Sequence, residues 1–296
     1  MIKTLVIGGS GYLGRHLSNV LSKGNNEVYI TSRFENEDEN CVVFDLEDIP
    51  GFRNIDFNSF NRILMLASSI TGIQSKTLDG NTFEINCMAY RDFLNHLVEI
   101  DYSNQFVYMS SMTVYSVNNQ PPVRESDSTE LPSSPYGLSK LVAEQLTKYY
   151  STQSNFKASI IRIPGLFGGD RKSGFIYNAI LKISKNIDFF ISTEKLKYWE
   201  TVSVLDASEM IKIFLDKYKW ERDCETYNIC YGYETDIIDV AGFIKKHFRS
   251  TSTITSTIPK GYVPFYLCNE KYLGLANCGV YNINDSLVTY INSIIE

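Results

Sequence analysis

Leu5-Val-Ile-Gly-Gly-Ser-Gly-Tyr-Leu-Gly14 is the stretch on which the fold turns. The apolar run Ile2–Ile7 reads as a buried strand, and Tyr12–Ser22 follows with helical spacing. Between them Gly8, Gly11 and Gly14 are spaced G-x-x-G-x-x-G, with Gly9 beside the first. Glycine allows a tight turn and lets a phosphate approach the backbone. The helix that begins there offers unpaired N–H groups and a partial positive charge. An ordinary glycine-rich turn would use the same residues, but strand, turn and helix in this order read as a dinucleotide pyrophosphate site. Gly8, Ser10, Gly11, Tyr12, Leu13 and Gly14 are its candidate contacts. A Walker-type phosphate loop is excluded, because Arg15-His16 stand where Lys followed by Ser or Thr is needed.

The alternation continues outward. Strands are predicted at Glu27–Thr31, Cys41–Phe44, Arg62–Ala67, Asn104–Ser110 and Lys157–Ile163. Helices are predicted over Asn81–Ile100 and over Ser134–Tyr150, the latter with Ser134 as N-cap and Pro135 in the first turn. This order predicts an α/β fold, a Rossmann doubly wound parallel sheet. After about residue 164 the pattern loosens, with helices expected at Gly174–Ser184, Asp206–Lys217, Thr235–Phe248 and Ile283–Ile295. Ile254 and Ile258 make a strand of the Ser/Thr-rich stretch around them. The expected architecture is an NAD(P)-binding domain over 1–164 and a smaller C-terminal α/β substrate-binding lobe over 165–296. Some segments of the second part return to the first, and the site lies in the cleft between them.

Composition bounds the partners. A net charge of −6 argues against nucleic acid and against an anionic membrane surface, since both attract a positive field. No apolar run approaches membrane-spanning length, and the chain opens directly into strand-like sequence, so a cytoplasmic protein is expected. Six cysteines without close pairing, and only three histidines, make a metal site unexpected and free buried thiols the expectation.

The end of the second strand, Val28-Tyr-Ile-Thr-Ser-Arg33, bears on the cofactor. An NAD enzyme usually carries an acid there for the ribose 2′-hydroxyl, whereas an Arg among hydroxyls suits a 2′-phosphate. NADP (NADPH) is therefore preferred, with NAD open should Glu35 or Glu37 supply the acid. Asp45 and Leu46, after the next strand, are candidate adenine contacts. Tyr136-Gly-Leu-Ser-Lys140 sets a phenol and an ammonium four residues apart on one helix face. A nearby cation can lower a phenol enough for proton exchange with a substrate oxygen, and Lys140 can also hold ribose hydroxyls. Ser110-Ser111 end a strand on the side where open α/β sheets bind ligands, and a hydroxyl there can polarise a carbonyl.

On these residues the sequence resembles the extended short-chain dehydrogenase/reductase family, the nucleotide-sugar epimerase/dehydratase/reductase group. Phe106-Val-Tyr-Met-Ser-Ser-Met-Thr-Val-Tyr115 is similar to its SS-x-x-V-Y block, which selects Ser111 over Ser110. Ser134-Pro-Tyr-Gly-Leu-Ser-Lys140 is similar to its S-x-Y-G-x-S-K block. Leu64-Met-Leu-Ala67, Asn86, Arg162-Ile-Pro-Gly-Leu-Phe-Gly168, Val202-Ser-Val-Leu-Asp206 and Tyr227-Asn-Ile229 match more weakly. The resemblance implies Ser111, Tyr136 and Lys140 as the catalytic set, with Ser111, Thr113 and Tyr136 toward the substrate. It also adds Leu66 and Ala67 to the cofactor contacts and implies a homodimer through the helices Asn81–Ile100 and Ser134–Tyr150.

The departures are informative. Met112-Thr113 replace the acidic pair of the group's 4,6-dehydratases, and Thr113 replaces the Cys of its bifunctional epimerase-reductases. Gly165 and Ser203 stand where the group has Asn and His. The resemblance thus implies an NADPH-dependent reductase of a 4-keto nucleotide-linked (6-deoxy) sugar, in surface-polysaccharide precursor synthesis by analogy. An NAD-dependent nucleotide-sugar 4-epimerase is the alternative. A non-catalytic NAD(P)-binding sensor is disfavoured by the intact Ser111, Tyr136 and Lys140.

Overall fold

The structure, a computed structural model, describes the chain except residues 36–37, 71–79, 117, 133, 193–198, 221–223, 258–263 and 296. Strands β1 (Ile2–Ile7), β2 (Asn26–Ser32), β3 (Cys41–Val43), β4 (Arg62–Met65), β5 (Gln105–Ser111) and β6 (Lys157–Ile163) belong to one sheet. Three short strands, β7 (Gly165–Phe167), β8 (Phe189–Ile191) and β9 (Thr201–Ser203), lie outside it, and β10 (Cys224–Asn228) returns to it. The order is β10-β6-β5-β4-β1-β2-β3, and every neighbouring pair is parallel. Strand order reverses at β1 and β4, which opens a crevice beyond their C-terminal ends.

The helices are α1 (Tyr12–Ser22), α2 (Ile49–Phe52), α3 (Gly80–Phe83), α4 (Tyr90–Glu99), α5 (Pro135–Gln153), α6 (Phe175–Ile183), α7 (Val204–Lys217), α8 (Ile237–Phe248), α9 (Glu270–Ala276) and α10 (Ile283–Ile295). Successive strand residues feed opposite layers, as a period of two requires. Leu5, Ile7, Ile63, Met65 and Phe106 join an aromatic core with Phe44, Phe57 and Phe93. Val6, Leu64 and Val107 meet Leu17, Leu21 and Phe214 on the other face. Both faces are therefore dry, which is why these strands read as continuous apolar runs. A separate core joins α6, α8 and α10 with β8 and β9. A last strand, β11 (Ile254–Ser256), pairs with β8, and β7 pairs with β9.

Several boundaries differ from the sequence expectation for local reasons. The strand Arg62–Met65 stops before Leu66, because Leu66 N–H and Ala67 N–H both turn to the Ile7 carbonyl, at 2.8 and 2.9 Å. The expected helix Asn81–Ile100 is interrupted by a π-helical stretch, Glu84–Ala89. Ser203 Oγ accepts from Leu205 N–H and so starts α7 two residues early. Helix α9 carries Gly274 at its centre, a poor helix former that hides it from a propensity reading. Ile258 lies outside the described residues. No cysteine is paired, and Cys87, Cys230 and Cys268 are buried, but Cys41, Cys224 and Cys278 are only half-buried, so the expectation of buried thiols holds for three. No described helix is long and apolar enough to cross a membrane.

His96 on α4 is buried against Phe52 and Phe57, and its Nε2 has no hydrogen-bond partner. Burial holds its pKa below the ordinary 6.5, against the pull of Glu99 on the same helix and with the push of Arg53. The unfolded chain therefore takes up a proton before the folded one does. Stability is full above pH 6.5 and is lost as pH falls below it, until the folded imidazole is itself protonated. Melting curves between about pH 7 and about pH 5 should fall more steeply for the wild type than for His96→Phe. Parallel curves would assign acid sensitivity elsewhere.

Candidate active site

The turn after β1 is shaped by what glycine lacks. Gly8 has φ +88°, and a Cβ there would stand 2.7 Å from Ala67 N. A Cβ on Gly14 would stand 2.3 Å from the Gly8 carbonyl oxygen, so α1 packs against the turn only as glycine allows. Gly8 N–H donates to Thr31 Oγ1 at 2.9 Å, tying the turn to β2. Gly11 caps α1 without a side-chain hydrogen bond, which leaves the first N–H groups of the helix for a ligand.

Above this turn, at the crevice between β1 and β4, lies a cavity of about 620 Å³. Of the residues singled out from sequence, Gly8, Ser10, Gly11, Arg33, Asp45, Leu46, Leu66 and Ala67 line it. Tyr12, Leu13, Gly14, Tyr136 and Lys140 do not, and neither do Ser111 and Thr113. The Tyr12 hydroxyl donates to the Gly168 carbonyl at 2.7 Å, Leu13 packs into the core, and Gly14 faces the turn itself. Phe34, Ser68, Ser69 and Asn81 line the cavity and were not anticipated. Ser68 and Ser69 had a usable signal, a hydroxyl pair just past a parallel strand, the same cue that marks Ser110 and Ser111. The cavity fits a dinucleotide: glycine walls its phosphate end, and Ser32, Arg33 and Phe34 its far end.

Strand periodicity separates the two serines of β5. Ser110 points inward and donates to Glu144 Oε1 at 2.6 Å, while Ser111 stays half-buried at the C-terminal end of the strand. Ser111 caps a short turn, Met112–Val114, and its Oγ accepts from Thr113 N–H at 3.2 Å and from Thr113 Oγ1 at 3.0 Å. Both contacts use Ser111 as acceptor, so its own O–H can point outward to a ligand oxygen. Helix α5 begins beside this turn, with Ser134 Oγ accepting from Gly137 N–H at 3.1 Å and Pro135 in the first turn. A Cβ on Gly137 would stand 2.1 Å from the Thr113 carbonyl oxygen. Glycine is what lets the start of α5, which carries Tyr136, lie against the turn that Ser111 caps.

Tyr136 is buried, and burial raises its phenol, while a hydrogen bond with Ser68 pulls it back. Ser68 lines the cavity, so it joins the phenol to the cofactor side. Asn86, in the π-helical stretch, fixes this serine: its Oδ1 accepts from Ser68 Oγ at 3.1 Å and from Ser69 N–H at 2.7 Å, and its Nδ2 donates to Ser139 Oγ at 3.0 Å. Lys140 is buried, with Nζ 4.3 Å from the centre of the Tyr108 ring. Burial pushes its pKa down to about 7, against the pull of Glu144 and Cys87. Lys140 Nζ lies over Tyr108, and the largest influence on the Tyr136 phenol is desolvation, with Ser68 acting against it.

Toward the second core, Gly165 N–H donates to the Glu200 carbonyl at 3.1 Å, and Thr201 Oγ1 donates to the Gly165 carbonyl at 2.9 Å. Asp206 accepts from the Tyr231 hydroxyl at 2.6 Å and from Ser286. These positions knit β7, β9, α7 and α10 together.

The model of the NAD-dependent epimerase/dehydratase family matches residues 4–230. A Methanocaldococcus jannaschii protein provisionally named as a UDP-glucose 4-epimerase is 27% identical over 255 residues, covering 81% of each chain. The GDP-6-deoxy-D-mannose reductase of Pseudomonas aeruginosa is 20% identical over 79% of this chain and 76% of its own. The UDP-N-acetylglucosamine 4-epimerase of Bacillus cereus superposes with a TM-score of 0.83 at 20% identity over 100% of both chains, a likeness of fold. With the glycine turn and the crevice cavity in place, and with Ser111 on β5 and Tyr136 and Lys140 on α5, the chain belongs to the NAD-dependent epimerase/dehydratase family, enzymes that work with NAD(P).

Proposed function

We propose that this enzyme reduces the keto carbon at C4 of a nucleotide-linked, 6-deoxy sugar with NADPH. The observation that carries the cofactor preference is Arg33, which lines the far end of the cavity beside Ser32, at the end of β2 where an NAD site usually has an acid. When bound, the nicotinamide supplies the hydride. The glycine turn and the N-terminus of α1 hold the pyrophosphate. Ser111 donates a hydrogen bond to the sugar oxygen as negative charge grows on it. Tyr136 gives that oxygen its proton, and its burial favours the protonated phenol that a donor needs. Lys140 holds the ribose hydroxyls. Thr113, bonded to Ser111, orients the serine rather than taking a proton itself.

Titration of nucleotide-free protein tests the cofactor assignment. NADPH should bind tighter than NADH, and Arg33→Ala should weaken NADPH by about tenfold or more while leaving NADH unchanged. Equal losses for both would make Arg33 a general anion contact and sink the preference. The second reading, an NAD-dependent 4-epimerase with the same three side chains, is favoured by the epimerase names among the relatives and by Asp45 and Glu47, acids that line the same cavity. Net consumption of reduced cofactor separates the two.

A further inference from the structure

One face of α5 carries three buried polar residues in a row, Tyr136, Lys140 and Glu144, each four positions after the last. The proposed chemistry uses the first two. Glu144 is fully buried, and its oxygens are committed: Oε1 accepts from Ser110 Oγ at 2.6 Å and from Arg162 Nε at 2.9 Å, and Oε2 accepts from Arg162 Nη2 at 2.6 Å. Arg162 is held in turn by the Glu125 carbonyl at 3.3 Å and stands 4.6 Å from the centre of the Tyr115 ring. The carboxylate thus bridges β5, α5 and β6 through Ser110, the residue before Ser111, and lies one helical turn from Lys140.

We propose that Glu144 is a positioning residue of the active site, pinning through Ser110 the strand end that bears Ser111 and supplying the carboxylate that sustains the Lys140 ammonium in a dry pocket. This rests on the assignment of Lys140 to the cofactor site. Two observations favour a functional role over packing alone. A buried ion pair contributes little net stability compared with apolar residues of the same shape, so stability is a weak reason for it. Ser110 also gives the pair a contact one residue from Ser111. The groups around Lys140 are Tyr136 and Glu144 on its own helix, Tyr108 on β5 with Tyr90 of α4 behind it, and Cys87 on the π-helical stretch. Among the described residues acting on it, Glu144 is the acid.

The test is the proton titration of Lys140, followed by NMR of protein labelled at lysine Cε and assigned with Lys140→Arg. Glu144→Gln keeps the shape, and its Oε1 can still accept from Ser110 and Arg162 Nε, but its amide nitrogen cannot accept from Arg162 Nη2 and the charge is gone. The titration midpoint should fall by about one pH unit or more, a tenfold loss of proton affinity. A folded Glu144→Gln whose midpoint matches the wild type overturns the proposal. Should that variant fail to fold, Glu144→Gln with Arg162→Met removes both charges of the pair, and a smaller fall in the same direction is expected, because Glu144 is the member of the pair that acts on Lys140. A wild-type midpoint there overturns it equally. Neither readout involves sugar turnover, so a wrong substrate assignment would leave this result standing.

Discussion

Tyr136→Phe is expected to lower turnover by about 10²–10⁴-fold, the usual contribution of a positioned proton donor. The ring is buried at the start of α5, and phenylalanine keeps that packing. What is lost is the O–H bonded to Ser68, the group proposed to protonate the sugar oxygen. Cofactor affinity should stay close to wild type, because the glycine turn and Arg33 are untouched. The comparison is initial rate with a 4-keto nucleotide sugar beside NADPH binding to the same preparations. Full turnover in the variant would remove Tyr136 from the mechanism, and a parallel loss of cofactor binding would make its role structural.

Gly137→Ala should be damaging where helix propensity says the opposite. In an exposed helix interior, alanine is favoured over glycine by about 1 kcal/mol. Here the added Cβ would stand 2.1 Å from the Thr113 carbonyl oxygen and 2.8 Å from its carbon, both backbone atoms that no rotamer can move. Either α5 or the Met112–Val114 turn must shift, at about 1–3 kcal/mol for overpacking. Tyr136 and Ser111 lie on the two sides of that contact, so activity should fall further than stability. A displacement near 1 Å can cost about 10²-fold in rate. Thermal melting and turnover on the same variant check this. A stabilised, fully active Gly137→Ala would mean that the two elements do not meet this closely.

The doubly wound sheet was legible because its strands are buried on both faces and its punctuation is strong. Leu5-Val-Ile and Ile63-Leu-Met are apolar without a break, and glycine, Ser134 and Pro135 mark where helices start. Less was legible past residue 164. Strands β7, β8 and β9 have three residues each, too few for a period of two to register. Strand β10, Cys-Glu-Thr-Tyr-Asn, returns to the main sheet only because β6 is there to pair with it, information that no local window contains. In the candidate site, Tyr136 and Lys140 stood out by spacing and chemistry and Ser111 was preferred to Ser110 through the family resemblance, but their electrostatics could not be read. That Lys140 rests on Tyr108 and that Glu144 holds Ser110 depend on contacts between β5, α5 and β6, distant in sequence. Asn86 and Ser68 likewise acquire a role only when the π-helical stretch brings them together.

The central claim, hydride transfer to a sugar carbon at this crevice, is tested most directly with NADPH deuterated at nicotinamide C4 and a 4-keto-6-deoxy nucleotide sugar. Deuterium should appear at C4 of the product, one per NADP⁺ formed, as read by mass and NMR. Interconversion of C4 hydroxyl epimers with NAD and no net redox would move the assignment to the epimerase. Absence of deuterium from the sugar, with no such interconversion in a protein that binds the cofactor, would contradict the account.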